Sequence, residues 1–372
     1  MDGRVGGKSV IRARAPLRIS FGGGGTDVAP YADERGGRVM NATINRYAYV
    51  TLIPRNDRKV VLRSLDYDEV IEYPLDGSPV VEAGLLRLAH GVVSRFTGSL
   101  SDVQGAGAGV VAGTLPGTLP GTLPGALPTG LEIYTHVDCP PGSGLGASST
   151  LVVALIGAVT RWLGLEMSPQ EIAQRAFDIE RIELGIQGGK QDQFAAAFGG
   201  FNFLEFEAGN TRVEPVRLSD EGIAELEYSL VLAYTGNSRA SSDIIRDQIR
   251  NFERGDAQAT AAMDETRRVA YAMREALEAG AFETFGALLH EAWTAKKRMS
   301  RQISTPAIDA MYNAARGAGA LGGKISGAGG GGFAFFFCAF DRRDAVEDAL
   351  RERGADVVEF GFTNRGLQTW TR

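Results

Sequence analysis

Residues 137–151 read Val-Asp-Cys-Pro-Pro-Gly-Ser-Gly-Leu-Gly-Ala-Ser-Ser-Thr-Leu. Pro141, Gly142, Ser143, Gly144, Leu145, Gly146 and Ala147 make a glycine-rich turn, closed by the hydroxyls of Ser148 and Ser149. Glycine lets backbone approach a ligand closely. Free N–H groups and the positive dipole end at a helix start make an anion site. Hydroxyls there cap the helix or reach a phosphate-bound cation. The chemistry on offer is the binding of a polyphosphate. Gly142, Gly144 and Ala147 also fit a dinucleotide loop, with Glu166 downstream as its ribose acid. Against that, two prolines stand where the strand must turn tightly into the helix. Neither Lys190 nor Lys324 sits in a P-loop, since both lack the earlier glycine and the following Ser or Thr.

Two further glycine-rich stretches occur. Residues 15–27 read Ala-Pro-Leu-Arg-Ile-Ser-Phe-Gly-Gly-Gly-Gly-Thr-Asp. Four glycines in a row contribute no core and are costly to order. Gly24, Gly25, Thr26 and Asp27 therefore read as backbone and polar groups held close to a small ligand, and not as a linker, because strands flank them. The third stretch, residues 322–332, contains Gly327, Gly329 and Gly332 in G-x-G-x-x-G spacing, but a strand follows instead of a helix, so the dinucleotide context fails.

Two acids stand out. Ser168-Pro-Gln-Glu171 is a capping box with proline at its first helical position, and the helix it opens is expected to run to about residue 184. At roughly 100° per residue, Ile172, Ala173, Ala176, Phe177, Ile179 and Leu184 share one face. Arg175, Asp178 and Arg181 lie opposite. Glu180 falls near the middle of the apolar face and Glu183 on its edge. A bare carboxylate there is costly, so Glu180 meets either a cation or an arginine. Asp192 sits at the edge of a glycine-containing loop just before a helix expected over 194–198, as a helix cap or as a site acid.

These residues need a scaffold. Alternating and β-branched runs predict strands over 9–14, 46–53, 59–64, 131–138, 199–206, 228–234, 333–339 and 357–363. Helices are expected over 82–96, 151–159, 168–184, 194–198, 243–279, 281–299, 307–318 and 342–353. Gly-Thr-Leu-Pro recurs three times and Gly-Ala-Leu-Pro once within 113–128, and proline every fourth residue excludes regular helix and ladder. Residues 99–129 therefore read as a mostly disordered insertion.

A length of 372 residues suggests two domains, read here as 1–208 and 209–372. The composition, 44% hydrophobic and 23% charged, is that of a soluble globular protein. A net charge of -6 implies no general affinity for nucleic acid or an anionic membrane. Cys139 and Cys338 make no disulfide framework, and His90, His136 and His290 are too scattered for a histidine metal site. No signal-peptide core and no membrane-spanning run is apparent, so a cytoplasmic protein is expected.

Three glycine loops in this order resemble the GHMP kinase superfamily. Ala15-Pro-Leu-Arg18 through Thr26-Asp27 is similar to its first motif, Pro140 to Ser149 to its second, and Gly327 to Phe333 to its third. The resemblance spans nearly the whole chain, and the insertion lies outside all three motifs. Within the superfamily the chain looks most like the sugar-phosphate kinases, the D-glycero-D-manno-heptose 7-phosphate kinases above all. The resemblance implies a two-domain α+β fold with its site in the interdomain cleft. It implies phosphoryl transfer from Mg²⁺-ATP to a sugar hydroxyl, the anomeric one for such a heptose phosphate. By position it makes Ser148 and Glu180 the metal ligands and Asp192 the base, with Arg18 beside it. Thr26 and Asp27 would meet the sugar. A substrate phosphate would need cations, for which Lys190, Arg239, Lys296, Lys297, Arg298 and Arg301 are candidates. A kinase of an unphosphorylated sugar, galactokinase-like or fucokinase-like, and a sensor that has lost activity are the alternatives. The expected partners are small molecules, ATP and the sugar phosphate; the oligomeric state is left open, a homodimer included.

Overall fold

The computed structural model describes residues 9–77, 79, 81, 84–97, 127–236 and 241–372. Its first half runs β1 (Ile11–Gly22), α1 (Tyr31–Arg35), β2 (Gly37–Pro54), β3 (Lys59–Ser64), β4 (Glu69–Pro74), α2 (Gly84–Thr97), β5 (Leu131–Val137), α3 (Ala147–Leu163), α4 (Pro169–Phe177), a π-helical turn (Asp178–Glu183), α5 (Gln191–Phe198), β6 (Phe201–Glu207) and β7 (Asn210–Pro215). The second half runs α6 (Asp220–Ser229), β8 (Leu230–Tyr234), α7 (Ser241–Glu253), α8 (Ala257–Glu278), α9 (Phe282–Lys297), α10 (Pro306–Ala318), β9 (Ala320–Ile325), β10 (Phe333–Cys338), α11 (Arg343–Arg351), β11 (Asp356–Val358) and β12 (Gln368–Thr371).

An eight-stranded sheet is ordered β12-β1-β2-β5-β3-β4, with β6 also on β2 and β7 on β6. A four-stranded sheet is ordered β11-β8-β10-β9. β1 shows how the two halves join. Its start alternates, with Ile11 and Ala13 buried and Arg12 and Arg14 half-buried, but every residue from Ala15 to Gly22 is buried. Helices α3 and α5 cover one part of it and α8 and α9, from the second half, pack on it as well. A strand covered on both faces reads as continuous burial. α3 is buried without break from Ser149 to Thr160, as befits a helix apolar all round at the centre of a domain. Phe21 at the end of β1 meets Phe285 of α9 edge-on at 5.2 Å and Phe335 of β10 at 5.8 Å.

Several elements depart from the reading above, each for a physical reason. The boundary at 208 falls in the turn of the β6–β7 hairpin, whose strands pair from Asn202↔Pro215 to Glu207↔Asn210. The last strand, β12, returns to the first sheet and pairs antiparallel with β1 from Ile11↔Thr371 to Arg14↔Gln368. The helix expected over 243–279 is broken at Gly255, whose φ is +69°, and restarts from Asp256, which caps α8 by accepting from the Ala259 N–H. The strand expected over 357–363 shrinks to β11 plus one bridge, Ile44↔Phe362. Most of the expected insertion lies outside the described residues, but Leu127 near its end is buried in the core.

α9 reaches the cleft because it lies almost against β9. A Cβ at Gly322 would stand 2.1 Å from the Gly286 carbonyl oxygen, and one at Gly286 would stand 2.6 Å from the Phe337 ring. Only glycine permits that approach. Gly322→Val is therefore expected to lower thermal stability by about 1–3 kcal/mol or more through overpacking and to displace α9, with loss of activity; an unchanged melting temperature would mean that the helix yields without cost.

Candidate active site

The second glycine loop joins β5 to α3. Gly142, Gly144 and Gly146 have φ of +70°, +79° and +80°, a left-handed conformation that glycine alone takes without strain. That is the reason for their alternate spacing. Gly146 is the N-cap of α3 and offers no side chain to cap it, and Ala147, Ser148 and Ser149 of the first turn line the cleft, the place where a helix start can hold an anion. Ser148 and Ser149 do not serve as caps. Both donate to the Glu180 carboxylate, Ser148 through a short contact and Ser149 at 2.6 Å.

Glu180 is fully buried. Its carboxylate also accepts from Gln193 Nε2 at 2.7 Å and lies 3.3 Å from Arg181 Nη1. Both options left open by the sequence are thus structurally prepared: oxygen ligands gather here, and an arginine stands beside them. The position of Arg181 corrects the helical-wheel reading, which had put it opposite Glu180. The chain leaves α-helical geometry at Asp178 for a π-helical turn, and the wider turn carries successive residues round the axis less than an α-helix does. Arg181 consequently faces the cleft, donating to Ser149 Oγ at 3.1 Å and to Gly189 O at 3.3 Å. Glu183, on the same turn, pairs with Arg95 of α2 at 3.5 Å, and burial raises its carboxyl above the ordinary value.

Asp192 lies in the first turn of α5, one residue inside the helix, and does not cap it. Arg18, on β1 and itself 3% exposed, donates from Nε to Asp192 Oδ1 at 2.7 Å, and its Nη2 lies 2.6 Å from the same oxygen as an ion pair. Oδ2 has no hydrogen-bond partner among the described residues. The same guanidinium donates from Nη1 to Gly144 O at 2.6 Å and approaches Ser326 Oγ at 3.4 Å. A Cβ on Gly146 would meet the Asp192 carboxyl at 3.1 Å. The acid is therefore pressed against the second glycine loop with one oxygen left over.

The third loop, residues 326–332, buttresses the second from the other half of the chain. Phe333 N donates to Ser143 O at 2.8 Å. A Cβ on Gly327 would lie 2.8 Å from Gly144 Cα and one on Gly332 would lie 2.4 Å from Ser143 O. Gly329 is forced to be small by Ile303 O, 2.7 Å from where its Cβ would be.

In the first loop the expected roles divide. Asp27 lines the cleft, with Oδ1 accepting from Gly25 N at 3.0 Å and Oδ2 from Gln191 N at 3.2 Å. Thr26, expected to meet substrate, does something else. It is wholly buried, its hydroxyl shared between Gly23 O at 2.8 Å and Arg38 O at 3.0 Å while accepting from Arg38 N at 3.0 Å. It fastens the loop to β2. Gly25 lines the cleft, and the Gly24 carbonyl accepts from Lys296 at 3.3 Å.

These groups surround a cavity of about 520 Å³. Of the six candidate cations, Lys296 lines it. Lys190 instead packs over the Phe177 ring at 5.1 Å, with Asp33 at 3.9 Å. Lys297 is held by Asp309 at 3.0 Å, Arg298 pairs with Glu265, and Arg301 is exposed. Arg239 lies outside the described residues. Sequence reasoning missed Arg181 and Ser326, which line the cavity, and Lys324, which is buried beneath it with Nζ donating to Ser20 O at 2.5 Å. Burial lowers the Lys324 ammonium well below the ordinary lysine value, helped by the Lys296 and Arg18 charges. The two Gly-Gly-Lys runs had drawn attention to Lys190 and Lys324 only as failed P-loops. The strand pattern of residues 320–325 was the missed signal: it turns Lys324 inward.

A half-buried carboxylate pressed against a glycine-rich loop, in a cleft lined by residues of both halves of the chain, is the arrangement a phosphotransfer site needs. Models of the GHMP kinases N-terminal and C-terminal domains match residues 118–200 and 273–356. The chain is 37% identical over 97% of its length to a D-glycero-alpha-D-manno-heptose 7-phosphate kinase from Campylobacter jejuni, covering 98% of that protein. It is 30% identical to an L-fucokinase/L-fucose-1-P guanylyltransferase from Bacteroides fragilis over 96% of the chain and 38% of that protein. Among solved structures, a D-glycero-D-manno-heptose 1-phosphate kinase from Bacteriodes thetaiotaomicron superposes with a TM-score of 0.74 at 33% identity, covering 97% of this chain and 98% of that one. The chain belongs to the GHMP kinases, ATP-dependent enzymes built on this two-domain α+β fold.

Arg18 bonds one carboxylate oxygen through Nε with Nη2 close beside it, and bonds a carbonyl through Nη1, a fork that lysine cannot copy. Arg18→Lys is expected to cut kcat by about 10²-fold, on the scale of losing a positioned acid–base group, with ATP binding largely kept. Steady-state kinetics beside nucleotide calorimetry would check this, and a variant within threefold of wild type would show that Asp192 is held by its other surroundings.

Proposed function

We propose that the protein transfers the γ-phosphoryl group of ATP to the anomeric hydroxyl of D-glycero-D-manno-heptose 7-phosphate. The observation that carries the chemistry is Asp192, with Oδ1 fixed by Arg18 and Oδ2 without a partner among the described residues, beside the second glycine loop. Likeness to the heptose phosphate kinases supports the sugar; the names of those relatives agree on a phosphorylated heptose and differ on the phosphate position.

On this reading the substrate hydroxyl donates to Asp192 Oδ2 and passes it the proton as phosphorus is attacked. Arg18 keeps the carboxylate aimed. The N–H groups of residues 142–149 receive the ATP phosphates, so the protein contributes mainly position and charge. Mg²⁺ is part of the proposal, and the residues fit it. Ser148 brings a hydroxyl from the cavity wall against the buried Glu180 carboxylate, two hard oxygen donors of the kind a small divalent cation takes while keeping several waters. When bound, the ion neutralises charge on the phosphate oxygens. Asp27 and the Gly25 backbone are the proposed contacts of the sugar. No helix among the described residues is long and apolar enough to cross a membrane, and we place the enzyme in the cytoplasm, where ATP and sugar phosphates are available.

Asp192→Asn is expected to lower turnover about 10²–10⁴-fold with near-normal ATP binding. ADP release should be followed over heptose 7-phosphate, heptose 1-phosphate, fucose and galactose, with product NMR locating the new phosphate. Wild-type-like turnover by the variant would remove Asp192 from the mechanism, and preference for an unphosphorylated sugar would replace the substrate.

Glu180→Gln is expected to raise the Mg²⁺ concentration for half-maximal rate at least about tenfold. Thermal unfolding belongs with that titration. Lost stability with an unchanged Mg²⁺ requirement would mean that Glu180 serves Arg181 instead.

A further inference from the structure

Lys296 stands at the C-terminal end of α9 with its side chain carried into the cleft, where it is 2% exposed. An ammonium has three N–H donors and no acceptor. Two of them go to main-chain carbonyls: Gly327 O of the third loop at 2.7 Å and Gly24 O of the first loop at 3.3 Å. No third acceptor comes from the described residues. The charged groups that face it are Asp27 from the first loop, Asp192 from α5, Arg18 from β1 and Lys324 from β9. The neighbouring space is kept clear, since a Cβ on Gly24 would come within 3.4 Å of Nζ, 3.4 Å of Gln191 Nε2 and 3.2 Å of Ser20 Oγ.

A buried charge with an unused donor is expensive unless something completes it. Two carbonyl contacts fasten the ammonium between the first and third loops and leave its last donor for whatever fills the cavity. Gly327 packs on Gly144 of the second loop, so the ammonium sits one loop's thickness from the proposed seat of the ATP phosphates, with the proposed base Asp192 among the charges that act on it. The distal phosphate of a heptose whose anomeric hydroxyl is at Asp192 would lie the whole length of the sugar away.

We propose that Lys296 is a catalytic residue of phosphoryl transfer, its third N–H meeting the oxygens of the phosphoryl group as that group passes from ATP to the hydroxyl at Asp192. No new bond to lysine forms; the ammonium keeps its proton and supplies a fixed positive charge where negative charge spreads in the transition state. This rests on the kinase reading above but not on which sugar is the acceptor.

The test uses Lys296→Met and Lys296→Arg in the full chain. Losing one preorganised donor to a transition-state oxygen typically costs 10²–10³-fold in kcat, so Lys296→Met should lose about that, with KM for ATP and sugar phosphate within about threefold. Its affinity for Mg-ADP alone should be kept, and calorimetry should show at least a tenfold loss for Mg-ADP with aluminium fluoride and the sugar phosphate, which imitate the planar phosphoryl group. Burial pushes the Lys296 ammonium down to about 8, against the opposing effect of Asp27. The charged form is lost as pH rises through that value, so wild-type kcat should fall on that limb, while Lys296→Arg should recover part of the rate and move the limb to higher pH. The proposal is overturned by a Lys296→Met kcat within threefold of wild type, by a defect confined to the KM of the sugar phosphate, or by an unchanged alkaline limb in Lys296→Arg. If Lys296→Met does not fold, the limb of Lys296→Arg decides alone. A wild-type enzyme inert toward heptose 7-phosphate would defeat the substrate assignment only; the same variants would then be run with the sugar that does release ADP.

Discussion

A buried arginine needs partners for its charge and its donors, and Arg18 finds them in three segments far apart in the chain. Its guanidinium reaches Asp192 of α5, the Gly144 carbonyl of the second loop and Ser326 of the third, while its own strand runs into the first. Taking one partner away from a buried charge generally costs several kcal/mol, so the loops cannot move apart independently. The glycines follow from this constraint. Gly144, Gly327 and Gly332 are small because the second and third loops touch backbone to backbone, and that contact is what lets one guanidinium span them.

The same economy explains why the two halves of the chain are not separate bodies. The second half supplies α8 and α9 to cover β1, the third loop to support the second, and β12 to extend the first sheet. In return Phe21 of β1 packs among Phe285 and Phe335. The cavity is therefore bounded by both halves, and a side chain such as Lys296, rooted in a helix of the second half, ends between loops of both.

Much of this was legible in residue order. The three glycine loops, the capping box at Ser168 and the apolar runs of α3 and β10 announce themselves because local chemistry dictates them. Glu180 was legible as a misfit, an acid on an apolar face, and Asp192 was singled out by its place at the edge of a glycine-containing loop. What escaped depends on distance. The inward turn of Arg181 arises from a π-helical turn that a wheel drawn at α-helical spacing cannot contain. The burial of Thr26 against Arg38 depends on β2 lying beside the first loop. Strands β4, β7 and β12 are short, polar and at or near sheet edges, where one wet face and few neighbours leave little hydrophobic pattern to detect. The boundary at 208 was read from the end of a strand, and β7 continues the sheet beyond it.

The pairing of β1 with β12 also has a meaning in time. Ile11 and Thr371 are partners, so β1 waits for every strand between them to be made before its outer edge is closed. During that interval the edge from Ile11 to Arg14 presents unpaired N–H and C=O groups, the kind of template on which chains join one another. Two of its four side chains are arginines, and charge on an exposed edge discourages such joining. Contacts of such long sequence separation are slow to form. Arg12 and Arg14 thus put charge on that edge well before Arg18 has any partner to hold.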